Sequence, residues 1–154
     1  MNIAAIVLAA GSSSRFGGGN KLLADIGGRP VIRRVLDALE QSPVATIALV
    51  TGNDATEMLQ AAGSGRWTHV INDNAADGMS SSLRSGLASL PSDADGALVA
   101  LADMPYLAPP LIDVLCTAFK TCRGQAIVFP EDTTGRQGHP VIWPCAFFSA
   151  LMAL

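Results

Sequence analysis

The amino-acid sequence predicts an α/β domain in which a mostly parallel sheet carries helices on both faces. Three observations support that expectation. Short apolar runs rich in Val, Ile and Leu alternate with stretches whose apolar residues recur at helical spacing. The connections are short, and no linker, internal repeat or low-complexity tract interrupts them. The first apolar run also opens directly into a loop of small residues, the kind of loop that parallel sheets present at the carboxyl ends of their strands.

Taken in order, Asn2–Leu8 reads as a buried first strand, because a strand covered on both faces is apolar throughout. Pro30 is placed to start a helix whose buried face is Val31, Ile32, Val35, Leu36 and Leu39. Thr46–Thr51 reads as the second strand, Thr56–Ala62 as a helix, and His69–Ile71 as a short third strand. Ser80–Leu90 is the next helix and Ala97–Leu101 the next strand. After Pro109-Pro110, the residues Leu111, Ile112, Leu115, Cys116 and Phe119 repeat the helical spacing. Ala126–Phe129 and Pro140–Trp143 are expected as the last strands, and Ala146–Leu154 begins an apolar helix. The whole of 1–154 reads as one domain, and its abrupt apolar end is expected to mark a fragment of a longer protein, lacking its C-terminal segment.

Composition narrows the class. Hydrophobic residues make up 49% and charged residues 15% of the 154, enough for a sizeable core. The net charge of −3 lacks the basic footprint of a nucleic-acid binder. The first ten residues carry no basic leader, so a core strand is expected there rather than an export signal. The apolar run near Ala97 is broken by Asp103 and Pro105, which excludes a membrane span there. Cys116, Cys122 and Cys145 are odd in number and lack metal-ligand spacing. A core thiol at Cys116 and a reducing, cytoplasmic home are expected.

Four clusters follow expected strands. The first is the Gly11–Lys21 loop, with Ser12, Arg15 and three further glycines. Bare backbone amides flanked by two fixed positive charges suit closely spaced phosphates, hence a nucleoside triphosphate. The ending is neither Gly-Lys-Ser/Thr nor Gly-x-Gly-x-x-Gly, so neither a Walker loop nor a dinucleotide fingerprint is present. Here Arg15 and Lys21 would neutralise charge growing at the α-phosphate.

The second cluster is Leu101-Ala102-Asp103-Met104-Pro105, where a carboxylate directly after a strand is well situated for Mg²⁺ or, alternatively, for capping a turn. The third is Asp77-Gly78-Met79-Ser80-Ser81-Ser82-Leu83-Arg84-Ser85-Gly86-Leu87, a helix start whose serines can cap the helix or bond a base edge or phosphate. The fourth is Gly135-Arg136-Gln137-Gly138-His139-Pro140, in which Arg136 could grip an anionic acceptor and His139 orient it. His69, at a strand entry, carries no functional expectation, and no serine sits in a nucleophile elbow.

These clusters, in this order, resemble the MobA-like nucleotidyltransferases. LAAGSSSRFGGGNKLL is similar to their nucleotide-binding signature, and Ala9-Ala10-Gly11, DGMSSSLRSGL, LADMP and GRQGHPV resemble the MocA branch, the molybdenum cofactor cytidylyltransferases. The likeness runs from Ile3 to about Trp143. It implies a Rossmann-like three-layer nucleotidyltransferase fold and transfer of CMP from CTP to the molybdopterin cofactor, releasing pyrophosphate. By the same resemblance Ala10, Gly11, Ser12, Arg15 and Lys21 would contact the triphosphate, and Asp103 would bind Mg²⁺. Thr51-Gly52 and the segment Gly78, Met79, Ser80 and Ser81 would face base and ribose, while Arg136, His139 and Pro140 would lie towards the acceptor.

Two features depart from the family pattern. Gly-Gly-Gly-Asn puts an extra residue before Lys21, and a further Asp-containing segment that the family usually carries beyond this point is missing.

Rival readings stay open at this stage. The acceptor could be a sugar phosphate or methylerythritol phosphate, although those relatives often have Pro-Lys where this chain has Asn20-Lys21. Guanylyl transfer is another, although that branch tends to have Gly-Gly where this chain has Ala10-Gly11. From other classes come an oxidoreductase using flavin or nicotinamide on a heteroaromatic substrate, and a non-catalytic chaperone delivering the cofactor to a molybdenum hydroxylase. For the transferase reading, Lys21 and Asp103 must reach one ligand.

Overall fold

The computed structural model describes residues 1–11, 20–53 and 55–154. Ser12 and Arg15, expected to contact phosphates, lie outside the described residues. The sheet has five strands: β1 (Ile3–Leu8), β2 (Thr46–Thr51), β3 (Thr68–Ile71), β4 (Gly96–Leu101) and β5 (Val141–Pro144). Their spatial order is β3-β2-β1-β4-β5, with the first four parallel and β5 antiparallel at the edge. Among the described residues five α-helices accompany them: α1 (Val31–Glu40), α2 (Thr56–Ala62), α3 (Met79–Ala88), α4 (Pro109–Thr121) and α5 (Phe148–Met152). The α/β expectation holds.

Side-chain alternation sorts the two layers. Ala5, Val7, Ile47, Leu49 and Leu98 face α1, α2 and α4, where Ile32, Leu36, Ile112 and Phe119 are fully buried. Ile6, Val50 and Ala97 point the other way, towards Leu87 of α3 and Leu151 of α5. Each fully buried Ile, Leu or Phe contributes about 1.5–3 kcal/mol of transfer free energy. Cys116 sits in the first of these clusters, and burial pushes its thiol up, as expected of a core thiol. Among the described residues no helix is long and apolar enough to cross a membrane.

One expected strand is absent. Ala126–Phe129 makes a single bridge, Val128 with Ile142, instead of a ladder. The chain arrives there from a turn with Arg123 at φ 55° and Gly124 at φ 65°, and Pro130 follows at once. That leaves room for one paired residue. A second bridge, Glu131 with Gln137, makes 128–142 a hairpin arm leading into β5.

The strand order positions the site. The chain builds β1, β2 and β3 in one direction, then returns to place β4 on the other flank of β1. The loops after β1 and β4 therefore part, opening a crevice at the carboxyl ends of the strands where order reverses. Because β5 runs antiparallel and Val141 pairs with Val99, the segment entering β5 also lies at that end of β4.

Candidate functional site

Two loops meet across the crevice. After β1, Ala9 is tied by its N–H to the Val50 carbonyl at 2.8 Å, leaving Ala10 half-buried and Gly11 exposed at the strand end. The chain is described again at Asn20, whose Oδ1 accepts from the Leu22 N–H at 3.0 Å and starts a 3-10 turn. Leu22 is buried beneath it. A capped turn with an apolar anchor on one side of Lys21 holds that side chain outward. On the opposite side, the Ala102 N–H donates to the Leu8 carbonyl at 3.1 Å and Ala102 is buried, so Asp103 emerges from a fixed strand end.

Lys21 Nζ donates to Asp103 Oδ2 at 2.5 Å, joining positions 82 residues apart in the chain. Both side chains stay open to solvent, at 46% and 39% exposure. An exposed ion pair of this kind adds about 0–1 kcal/mol to stability. The fold therefore does not depend on it, and both partners are available to a ligand.

Asp103 fits a divalent cation in one respect that can be checked directly: its carboxylate already holds a cationic group in a solvent-open place. Among the described residues no group of three or more His, Cys, Asp or Glu could hold a metal. A cation here would therefore be completed by phosphate oxygens and water, which is the usual habit of Mg²⁺.

The other expected residues separate into exposed and engaged. Gly78 and Met79 are exposed at the start of α3, with Gly78 at φ 98°, a conformation that favours glycine. Ser80 is half-buried. Ser81 differs: it is buried, and its hydroxyl lies 2.8 Å from both the Asn74 and Gly78 carbonyls. It also accepts from Asn72 Nδ2 at 2.8 Å. Its hydroxyl is engaged by the scaffold, which leaves the backbone of this segment as the part that can face a base or ribose. Thr51 is likewise buried, its hydroxyl engaged by His69 and by the Gly52 carbonyl, so only the Gly52 backbone beyond it is open.

Arg136 and His139 are exposed and Pro140 is buried, on the arm that enters β5 at the end of β4 bearing Asp103. The arm is braced by Asp132, whose Oδ1 accepts from Thr134 Oγ1 at 2.6 Å, the Thr134 N–H at 2.8 Å and the Arg136 N–H at 3.1 Å. Those bonds, the Thr134 hydroxyl first, hold its carboxyl below the usual range.

Sequence reasoning missed a buried lattice beside this end. Asn72, 2% exposed, donates through Nδ2 to Ser81 Oγ at 2.8 Å and Ser82 Oγ at 2.9 Å, and accepts from the Asn74 N–H at 3.0 Å. Its N–H donates to the Thr51 carbonyl at 2.8 Å. The available signal was an Asn closing an apolar run shortly before three serines.

A mostly parallel sheet whose strand order reverses at β1 and β4, with a lysine and an aspartate meeting there, defines an α/β domain with a ligand crevice at its switch point. The chain belongs to the MobA-like NTP transferase domain family, which matches residues 5–154. It is 38% identical over 149 residues to a molybdenum cofactor guanylyltransferase of Rhodopseudomonas palustris, covering 92% of this chain and 66% of that protein. It is 30% identical over 141 residues to a 2-C-methyl-D-erythritol 4-phosphate cytidylyltransferase of Salinibacter ruber, covering 88% and 58%. The chain thus spans less than two thirds of these relatives' own length. The crystal structure of Rv0371c from Mycobacterium tuberculosis superimposes with a TM-score of 0.84 at 27% identity, over 99% of this chain and 76% of that one. Rv0371c has also been solved with manganese.

Proposed function

We propose that this domain transfers a nucleotidyl group from a nucleoside triphosphate to a phosphorylated acceptor, with release of pyrophosphate. CTP is the proposed donor and the molybdopterin cofactor the proposed acceptor. The observation that carries the reading is the 2.5 Å contact of Lys21 with Asp103 across the switch point, which lets one ligand address both loops. Relatives on both sides of the family, one named for guanylyl and one for cytidylyl transfer, support the reaction class.

In this reading the terminal phosphate of the acceptor attacks the α-phosphorus of the nucleotide in line. The new P–O bond forms as the bond to the β-phosphate oxygen breaks. The nucleophile is already anionic at neutral pH, so no general base is required, and positioning with charge stabilisation supplies the rate. Lys21 neutralises charge on the α-phosphate, and Arg15 is proposed to assist. The exposed Gly11 and Gly78 backbones line the phosphates and ribose, with Ala10, Ser12, Gly52, Met79 and Ser80 contributing from the same end. Asp103 would hold Mg²⁺, which when bound draws electron density from the phosphate oxygens. Arg136 and His139 on the arm orient the acceptor against Pro140. A molybdenum hydroxylase is the proposed recipient of the product.

Guanylyl transfer is the second reading, favoured by the 38% identity to a molybdenum cofactor guanylyltransferase. Titrating CTP, GTP, UTP and ATP with and without Mg²⁺, and then measuring pyrophosphate release with molybdopterin or methylerythritol phosphate, separates the readings. Mg²⁺-dependent preference for CTP is the expected result. Tight binding of flavin, or nucleotide binding with no pyrophosphate released to any acceptor, would overturn the transferase assignment.

A further inference from the structure

The end of β2 holds a contact that the proposed chemistry leaves unused. His69, exposed on the edge strand β3, brings Nε2 to 2.7 Å from Thr51 Oγ1. That oxygen lies 2.9 Å from the Gly52 carbonyl. A hydroxyl has one proton to give. Both contacts are satisfied together only when Thr51 donates to the Gly52 oxygen and His69 donates to Thr51, so Nε2 carries hydrogen. The neutral Nε2–H tautomer and the imidazolium both meet that condition. The relay therefore runs from His69 through Thr51 to the Gly52 oxygen.

The effect falls on the next peptide group. In a trans peptide the C=O and N–H point in opposite directions. Holding the Gly52 oxygen back against Thr51 turns the Asn53 N–H away from it, and Asn53 is exposed. No described backbone oxygen accepts from that N–H. The Gly52 backbone also lies close against the turn that precedes α3: a Cβ added at Gly52 would stand 3.4 Å from Ala75 Cβ. The Gly52–Asn53 peptide and the Gly78–Ser80 segment therefore border one wall.

We propose that His69 is a positioning residue for nucleobase recognition: through Thr51 it sets the Gly52–Asn53 peptide so that the Asn53 N–H meets an acceptor on the base edge. This rests on the reading that the domain binds a nucleoside triphosphate at the carboxyl end of the sheet. The ligand class it selects is a base offering a carbonyl oxygen or ring nitrogen, and the phosphates are not involved.

The test compares His69→Leu, His69→Gln, Thr51→Val and the double variant Thr51→Val/His69→Leu by titration calorimetry. The probes are Mg·CTP and Mg·GTP, with inorganic tripolyphosphate as the ligand that has phosphates and no base. His69→Leu should weaken binding of its preferred nucleotide about tenfold and leave tripolyphosphate unchanged. His69→Gln keeps a donor and should restore affinity to within about threefold. The double variant should lose no more than either single one, because all three break one relay. Turnover at saturating nucleotide should not change.

Wild-type nucleotide affinity in His69→Leu, equal loss for tripolyphosphate, or additive losses in the double variant would overturn the proposal while the transferase reading stands. A wild-type chain that binds tripolyphosphate and no nucleotide would bring both down.

Discussion

Two regions at the same end of the sheet handle polar groups in opposite ways. At the switch point, the ionic side chains Lys21 and Asp103 are solvent-open and paired only with each other among the described residues. Beside them, Asn72, Ser81 and Ser82 are neutral, almost fully buried and bonded to one another and to the backbone. Burial is costly for a lone charge and tolerable for a satisfied amide. The difference separates the parts left open to a ligand from the parts that hold the scaffold. Substituting the first should remove chemistry and spare the fold, and substituting the second should do the reverse.

The sharpest attempt to break that contrast is Asp103→Asn. We expect pyrophosphate release to fall about a thousandfold with the melting temperature unchanged, read by a coupled phosphate assay and thermal denaturation. A large loss of stability would show Asp103 to be scaffold. Lys21→Met should lower turnover about a hundredfold, again with the fold intact. Without nucleotide it should also tighten Mn²⁺ binding at Asp103, followed by electron paramagnetic resonance, because the competing ammonium is gone. Unchanged turnover would remove Lys21 from the site.

On the other side of the comparison, Asn72→Ala leaves Ser82 Oγ without its partner and removes one of the bonds to Ser81 Oγ, and should cost about 2–3 kcal/mol in urea unfolding. Residual activity in the folded fraction should stay within about threefold of wild type. Loss of activity without loss of stability would erase the distinction between the two regions.

The smallest effect belongs to Asp132, which is charged and yet serves as scaffold. Its folded carboxyl is held low by the Thr134 hydroxyl, then by the Arg136 and Thr134 N–H groups. The brace is therefore complete above the ordinary carboxylate range and is lost as pH falls through the lowered value. Amide resonances of Thr134 and Arg136 should shift together at acid pH while those of β4 stay put.

Much of this was legible from the chain. The parallel strands are apolar throughout because both faces are covered, so Ile3–Leu8 and Gly96–Leu101 announce themselves. Lys21 and Asp103 were legible because each follows such a strand, and topology then brings strand ends together. Ala126–Phe129 has strand composition, yet composition does not report that only Val128 finds a partner. Ser81 looks like any helix-start serine; only the fold shows Asn72 lying over it. His69 to Thr51 joins two strands through side chains, a contact that neither periodicity nor spacing encodes.

The placement of β1 has a further consequence for synthesis of the protein. It precedes the other four strands of this sheet in the chain and is the middle one in space, flanked on one side by β4, with Ile3 beside Gly96. A chain leaving the ribosome must carry an apolar ribbon with one bare hydrogen-bonding edge until Gly96–Leu101 has been translated. Such long-range pairing is slow and prone to mispairing with other chains. The yield of folded protein should therefore respond to translation speed and to chaperone supply more than its final stability suggests.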